Sequence, residues 1–180
     1  MKLGTHRIVN FALAITLYPA LQLGWGRVAM MAAAAILADT LIDGVGHRRH
    51  KHSPIPSRAW WTHHPITAAV TGGMGGAGIG LVVSWTLAQL GIQTAATLPI
   101  FPAVAGVVAG EAHLLLDLPT GSGIYLTRTR RLGVGHSSWD NAPANVGLSL
   151  LALLLIIVTY FPPFLPFLRQ LLQPFGLGGS

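Results

Sequence analysis

The sequence predicts an all-α protein, a polytopic bundle of about five transmembrane helices. Hydrophobic residues make up 52% of the 180 residues and charged residues only 9%, whereas a soluble globular chain carries about 25% charged residues. The apolar residues gather in segments of about 20 residues, the length that spans a bilayer as an α-helix. The same composition excludes an intrinsically disordered chain and a nucleic-acid-binding tail. We therefore expect a multi-pass protein of the cell membrane.

Five apolar segments carry the predicted helices. They cover about residues 5–23, 27–43, 65–90, 98–118 and 143–161. The first is not a convincing signal peptide, because polar residues interrupt it and no small-residue cleavage site follows, so we expect it to stay in the mature fold. The second is rich in Ala, and the third begins at Pro65, which suits a first helical turn.

The C-terminal part of the chain differs from these segments. After the Pro162-Pro163 break, residues 164–175 are too few to span a bilayer and include Arg169, which predicts a segment lying in the membrane interface. The chain therefore divides into a transmembrane helical domain, residues 1–161, and an interfacial tail, residues 162–180.

The loop charges predict the orientation of the bundle. One side collects nine basic residues, from the N-terminus and from the loops 44–64 and 119–142, while the other side has only Arg27 and Arg169. Because cytoplasmic loops carry an excess of Lys and Arg, we expect the N-terminus in the cytoplasm and the C-terminus outside.

Glycines recur every four residues in the third segment, at Gly72, Gly76 and Gly80. Glycines at this spacing lie on one helical face and allow a second helix to approach closely. Two interpretations are open: tight packing inside the bundle, or a homodimer through these three residues.

Four of the five acidic residues lie within predicted spans or at their ends, where an ionised group costs at least a few kcal/mol. They are Asp39, Asp43, Glu111 and Asp117. Asp39 and Asp43 are four residues apart, as are His113 and Asp117, so each pair shares one face of its helix. Glu111 points away from that face and is a candidate for proton transfer or for a bond to a neighbouring helix.

Alternating helix directions bring these pairs to the same, cytoplasmic end of the bundle as two further histidines. Imidazoles and carboxylates at the end of a helical bundle are typical ligands of divalent metals, and the chain has no Cys to offer. The sequence therefore predicts one shared metal site. Its ligands are His6, Asp39, Asp43, His63, His113 and Asp117.

Each part of this pattern also has a simpler interpretation. His113 and Asp117 could form a hydrogen-bonded pair within one helix, and the aspartates of the second helix could pair with arginines of the loop 44–64. His6 could be an interfacial residue. The joint position of all these groups at one end of the bundle favours the metal site.

The stretch 62–65 presents two histidines directly before a proline, which restricts the preceding residue and suits a helix start. His63, like His6, follows a threonine, so we assign it to the metal. We assign Asp39 and His64 to the catalytic group, with Asp39 as proton acceptor and His64 supporting the ligands from behind.

Two loops on the same side carry further polar residues. The stretch 46–52 is basic and rich in His, and we expect it to contact anionic lipid head groups; gathering a phosphate-bearing substrate is the alternative. It is too short to indicate nucleic-acid binding. His136 and Asp140 could add to the site, although ordinary loop polarity also accounts for them.

The order of these motifs resembles the small membrane-bound metal-dependent hydrolases of bacteria and archaea, and among them an archaeal branch of unknown function. The motifs are Thr5-His6, Asp39 to His47, Thr62-His63 and His113 to Asp117, followed by stretches 118–124 and 140–145. In that family the first acidic motif usually begins with Pro-Asp, whereas Ala38 precedes Asp39 here. This departure makes Asp43 the more secure of the two aspartate ligands.

The resemblance implies a membrane metal-dependent hydrolase. Mixed His and carboxylate ligands favour zinc, manganese or iron, and we expect one or two ions. Because the site lies at head-group depth, a lipid-derived phosphoester is the expected substrate. Two alternatives are a transporter or ion carrier, since intramembrane Asp and His also mark ion pathways, and a non-catalytic membrane protein with a structural His/Asp cluster.

Overall fold

The computed structural model describes residues 3–21, 25–48, 57–93, 98–135, 141–161 and 170. Within them it has five α-helices and two short antiparallel hairpins. The helices are α1 (Leu3–Leu21), α2 (Trp25–Gly46), α3 (Pro65–Gln89), α4 (Ile100–Asp117) and α5 (Ala142–Tyr160). The strands are β1 (His47–Arg48) paired with β2 (Ser57–Arg58), and β3 (Ile124–Tyr125) paired with β4 (Arg131–Leu132). The prediction of a mainly helical protein is confirmed.

In the part of the chain that the structure describes, four helices are long and apolar enough to cross a membrane. They are residues 26–46 of α2, and all of α3, α4 and α5. The first of the five predicted spans is not among them: α1 carries His6, Arg7 and Asn10 in its first half, and these lower its apolar character. α2 also continues three residues beyond its predicted end at Asp43, to Gly46.

The helices pack through small side chains and bare backbone. The buried core between α2 and α4 is largely alanine, including Ala34, Ala38, Ala105 and Ala109. Small residues let helix backbones approach closely, which is how helices associate in a membrane, where burying apolar surface offers little gain.

The glycine stripe of α3 faces α4 of the same chain. A Cβ added at Gly72 would overlap the carbonyl group of Gly106, and one added at Gly76 would overlap that of Pro102. Gly80 is equally close to Pro99. The glycine stripe therefore packs against α4 inside the bundle. The face of α3 that a homodimer would need is occupied by α4.

The segments 57–64 and 118–135 form a cap over the end of the bundle where α2 and α4 stop. The Ala59 amide donates a 2.7 Å hydrogen bond to the Gly46 carbonyl, and the Tyr125 amide donates a 2.9 Å bond to the His63 carbonyl. The Tyr125 hydroxyl donates to the carbonyl of Arg58. The two segments are thereby tied to each other and to the end of α2.

Several predictions fall outside the described residues. They concern most of the basic stretch 46–52, His136 and Asp140, and the interfacial tail apart from residue 170.

Candidate metal centre

Histidine and aspartate side chains from four segments meet beneath the cap. α1 contributes His6, α2 contributes Asp43, and the segment before α3 contributes His63. The end of α4 contributes His113 and Asp117. The three imidazoles and Asp117 are fully buried. Five of the six predicted ligands are therefore brought together, although more than 100 residues separate the first from the last.

Two groups of three potential ligands can be distinguished in this cluster. The first, which we call the closed triad, consists of His6, His113 and Asp117. The Asp117 carboxylate contacts both rings at Nε2: its Oδ1 is 3.4 Å from His6 Nε2 and its Oδ2 is 3.6 Å from His113 Nε2. The imidazoles stack with ring centres 4.0 Å apart.

The second group, which we call the open triad, consists of Asp43, His47 and His63. Asp43 Oδ1 is 3.1 Å from His47 Nδ1 and 3.7 Å from His63 Nε2. In each triad the potential ligand atoms all lie within 4.8 Å of one another, close enough for one divalent ion to bridge them after small adjustments of the side chains.

The two triads are in direct contact. His113 Nε2 of the closed triad lies 3.3 Å from Asp43 Oδ1, and His63 Nε2 of the open triad lies 3.7 Å from Asp117 Oδ2. The two carboxylates and the three imidazoles of His6, His63 and His113 therefore form one continuous cluster, which would have enough ligand atoms for more than one divalent ion.

The hydrogen bonds behind the imidazoles determine which nitrogen carries the proton. The Thr62 hydroxyl lies 3.1 Å from the Ala59 carbonyl and 2.9 Å from His63 Nδ1. When the hydroxyl donates to the carbonyl, His63 Nδ1 carries the ring proton and donates to the hydroxyl. His63 Nε2 is then a lone pair in the neutral ring. By the same logic, His113 Nδ1 donates to Asp39 Oδ1 at 2.9 Å, which leaves a lone pair on His113 Nε2.

The Nε2 atoms of His63 and His113 point towards carboxylate oxygens. A neutral lone pair in this position is repelled unless a proton or a metal ion lies between it and the oxygen. His6, His63 and His113 each have a fully buried Nε2 atom with no hydrogen-bond partner, and such an atom costs about 1–3 kcal/mol. Burial lowers the pKa of His63, an effect that Asp43 opposes, and a lowered pKa favours the neutral imidazole that binds metals. The residues present therefore fit a divalent metal ion.

Asp39, predicted as both ligand and proton acceptor, lies behind the cluster and belongs to neither triad. Its Oδ1 accepts a 2.7 Å hydrogen bond from Asn10 Nδ2 as well as the bond from His113 Nδ1. A carboxylate in this position orients a metal-binding imidazole from behind. Asp39 is one helical turn deeper than Asp43, so it meets the far side of the His113 ring.

His64, predicted as catalytic, also lies apart from the cluster. Its Nε2 bonds the backbone carbonyl of Leu126 at 3.1 Å, and its ring is half-buried. His64 precedes Pro65, the first residue of α3, and has an extended backbone. The side chains of His63 and His64 therefore point in different directions, and only that of His63 is fully buried. Glu111 is likewise half-buried and belongs to neither triad.

Two residues of the site were not predicted. His47 was assigned to the basic loop, although its spacing of four from Asp43 was a usable signal. Arg58 is buried and donates to Asp117 Oδ1 at 2.6 Å, and its other terminal nitrogen bonds Thr120 and the Gly123 carbonyl. This arginine holds Oδ1 of Asp117, the oxygen that also lies 3.4 Å from His6 Nε2, while Oδ2 faces His63 and His113.

Comparison with known proteins gives one match. No curated protein and no solved structure matches the chain. A family model described as "Protein of unknown function (DUF1286)" matches residues 1–116, a stretch that includes every residue of both triads except Asp117. The chain therefore belongs to the DUF1286 family.

Proposed function

We propose that this protein crosses the membrane several times and hydrolyses a lipid-derived phosphoester at a divalent-metal centre on its cytoplasmic side. One observation carries the proposal: the buried Nε2 atoms of His63 and His113, which have no hydrogen-bond partner among the described residues, face the carboxylates of Asp43 and Asp117. A cation between these groups removes their repulsion and gives each nitrogen a partner.

The membrane part of the proposal is supported by the outer surface of the helices. α3 exposes Ile66, Met74 and Trp85, and α5 exposes Leu150 and Leu151, each of them more than half exposed. A water-soluble monomer rarely exposes such continuous apolar faces, whereas lipid chains cover them without cost. The apolar lengths of four helices fit the same environment.

The residues at the site support hydrolysis in distinct ways. Zinc, manganese or iron fits the mixed His and Asp set, and such an ion would polarise a phosphoryl oxygen and acidify water. Asp43 is the carboxylate of the two triads that reaches the surface, with 11% of its side chain exposed against 1% for Asp117. We assign Asp43 as the proton acceptor in place of Asp39.

The proposed reaction adds one water molecule across a phosphorus–oxygen bond. The water oxygen bonds to phosphorus as the bond to the leaving alcohol breaks. The proton that Asp43 takes from the water is returned to the leaving oxygen, so the products are a phosphate monoanion or dianion and an alcohol. Arg58, whose Nη2 lies 2.6 Å from Asp117 Oδ1, holds this carboxylate in position throughout.

The test is hydrolysis by the full chain in lipid nanodiscs supplied with Zn²⁺, Mn²⁺ or Fe²⁺ and a panel of lipid phosphoesters. Wild-type protein should release phosphate or the free alcohol, and Asp43→Asn should slow release by about 100-fold or more, the scale of a lost acid–base group. Ser84→Ala is the control, because its hydroxyl bonds only the backbone of its own helix, at Gly80. Metal loading without turnover of any phosphoester would contradict the hydrolase, and metal flux across vesicles would indicate a carrier.

The proposed orientation can be tested by cysteine labelling, because the chain has no Cys of its own. Gly121→Cys lies in the cap and Gln93→Cys follows α3, at the opposite end of that helix; both positions are exposed. We expect a membrane-impermeant maleimide to label Gln93→Cys in intact cells and Gly121→Cys only after permeabilisation. The reverse pattern would put the metal centre outside the cell.

A further inference from the structure

We infer that the centre holds two ions of different character: a firmly held ion in the closed triad and an exchangeable, substrate-facing ion in the open triad, with His47 among its ligands. This inference rests on one part of the proposed function, the binding of divalent metal by the cluster. It adds a different role for each ion, a ligand that the sequence analysis did not predict, and the side from which a phosphoester arrives.

The closed triad has no route to solvent through its own side chains. His6 and Asp117 are each 1% exposed and His113 is fully buried. Asp39 backs the His113 ring and Arg58 backs the carboxylate. Burial of all three groups shields an ion in the closed triad from solvent and from chelators, so we expect this ion to exchange slowly.

The open triad reaches the surface on one side. His63 is fully buried, but 25% of the His47 side chain and 11% of the Asp43 side chain are exposed. His47 is the first residue of β1, directly after the end of α2. Three protein ligands and a solvent-facing side are the pattern of catalytic metal sites, which keep a position for water or substrate.

A buried atom without a partner points to a ligand in this triad. His63 Nε2 is buried, has no hydrogen-bond partner and is aimed at Asp43 Oδ1. The rings of His47 and His63 meet edge to face, with centres 5.2 Å apart. Asp43 Oδ1 thus contacts both imidazoles, at 3.1 Å and 3.7 Å. His47 Nδ1 is also 3.0 Å from the Asp43 backbone carbonyl, a hydrogen bond that His47 would give up on binding an ion through that nitrogen.

Gly46 allows the triad to assemble. A Cβ at this position would overlap the side chain of Thr62 and lie 2.9 Å from Cε1 of His63. The bare backbone lets the segment before α3 close against the end of α2. His63 is thereby brought next to the turn of helix that carries Asp43.

The experiment measures metal content in the detergent-purified full chain loaded with Mn²⁺, before and after brief treatment with EDTA. Wild-type protein should hold about two ions, one for each triad, and lose one of them much faster than the other. His47→Gln should hold about one ion, the slowly exchanging one. His64→Gln is the matched control, because His64 lies outside both triads, and should behave as wild type.

The possible outcomes distinguish failure of the two-ion inference from failure of the proposed function. If His47→Gln retains two ions with wild-type exchange, His47 is only a hydrogen-bond partner of Asp43 and the inference fails. It fails equally if both ions of the wild-type protein exchange at one rate, a readout that does not depend on any variant folding. A wild-type protein that takes up no ion would overturn the proposed function itself.

Discussion

His113→Ala is expected to empty the metal centre and to lower the free energy of unfolding by about 1–3 kcal/mol, the cost of leaving a buried hydrogen-bonding group without its partner. His113 joins every part of the site. Its Nδ1 bonds Asp39, and its Nε2 faces Asp43 at 3.3 Å and Asp117 at 3.6 Å. Without the ring, Asp39 is buried with Asn10 as its remaining hydrogen-bond donor in the described structure.

Two measurements on the same preparations check this expectation. Metal analysis should find wild-type content in His64→Ala and little or none in His113→Ala. Thermal or denaturant unfolding in detergent should show the same ranking, with His64→Ala close to wild type because its ring bonds only a backbone carbonyl at the surface. If His113→Ala kept both its metal and its stability, the cluster would be a set of ordinary hydrogen-bonded pairs.

The position of the site was predictable because it follows from helix direction alone. Residues at the start of one helix and at the end of the next lie at the same end of a bundle, whatever the details of packing. His6, Asp43 and His113 could therefore be grouped without knowing any contact between them. The mainly helical fold followed in the same way from the length and apolar character of the segments.

The role of each aspartate was not predictable, because it depends on depth within one helical face. Asp39 and Asp43 share a face but differ by one turn, about 5.4 Å along the axis. At the deeper level the neighbours are Asn10 and the back of the His113 ring. The spacing of residues predicts which side chains share a helical face. It does not predict which aspartate of α2 lies level with the His113 ring of α4, because that depends on how far α2 and α4 are shifted along each other.

His47 and Arg58 were missed for a related reason. The predicted second helix ends at Asp43, so the residues after it were assigned to a basic loop. In the structure α2 continues to Gly46. That extra turn keeps His47 beside Asp43. Arg58 reaches Asp117 only because the cap folds back over the end of α4, and no local sequence pattern encodes a contact across 59 residues.

Gly76→Ala is expected to separate α3 from α4 and to destabilise the protein by about 3 kcal/mol, at the upper end of the cost of overpacking a close-packed interface. The new methyl group would overlap the backbone carbonyl of Pro102. A backbone atom in a helix cannot rotate away as a side chain can, so the two helices must move apart along the whole stripe that Gly72 and Gly80 share.

Gly78→Ala is the matched control two residues away on the same helix. A Cβ at Gly78 meets no atom within 4 Å, and alanine is favoured over glycine within a helix by about 1 kcal/mol. This variant should therefore equal or exceed wild-type stability when both are unfolded in detergent.

Cross-linking of the same proteins tests the alternative role of the glycine stripe, a homodimer interface. A homodimer through Gly76 would dissociate in Gly76→Ala while each chain kept its stability, whereas packing against α4 predicts loss of stability without any change in the number of chains.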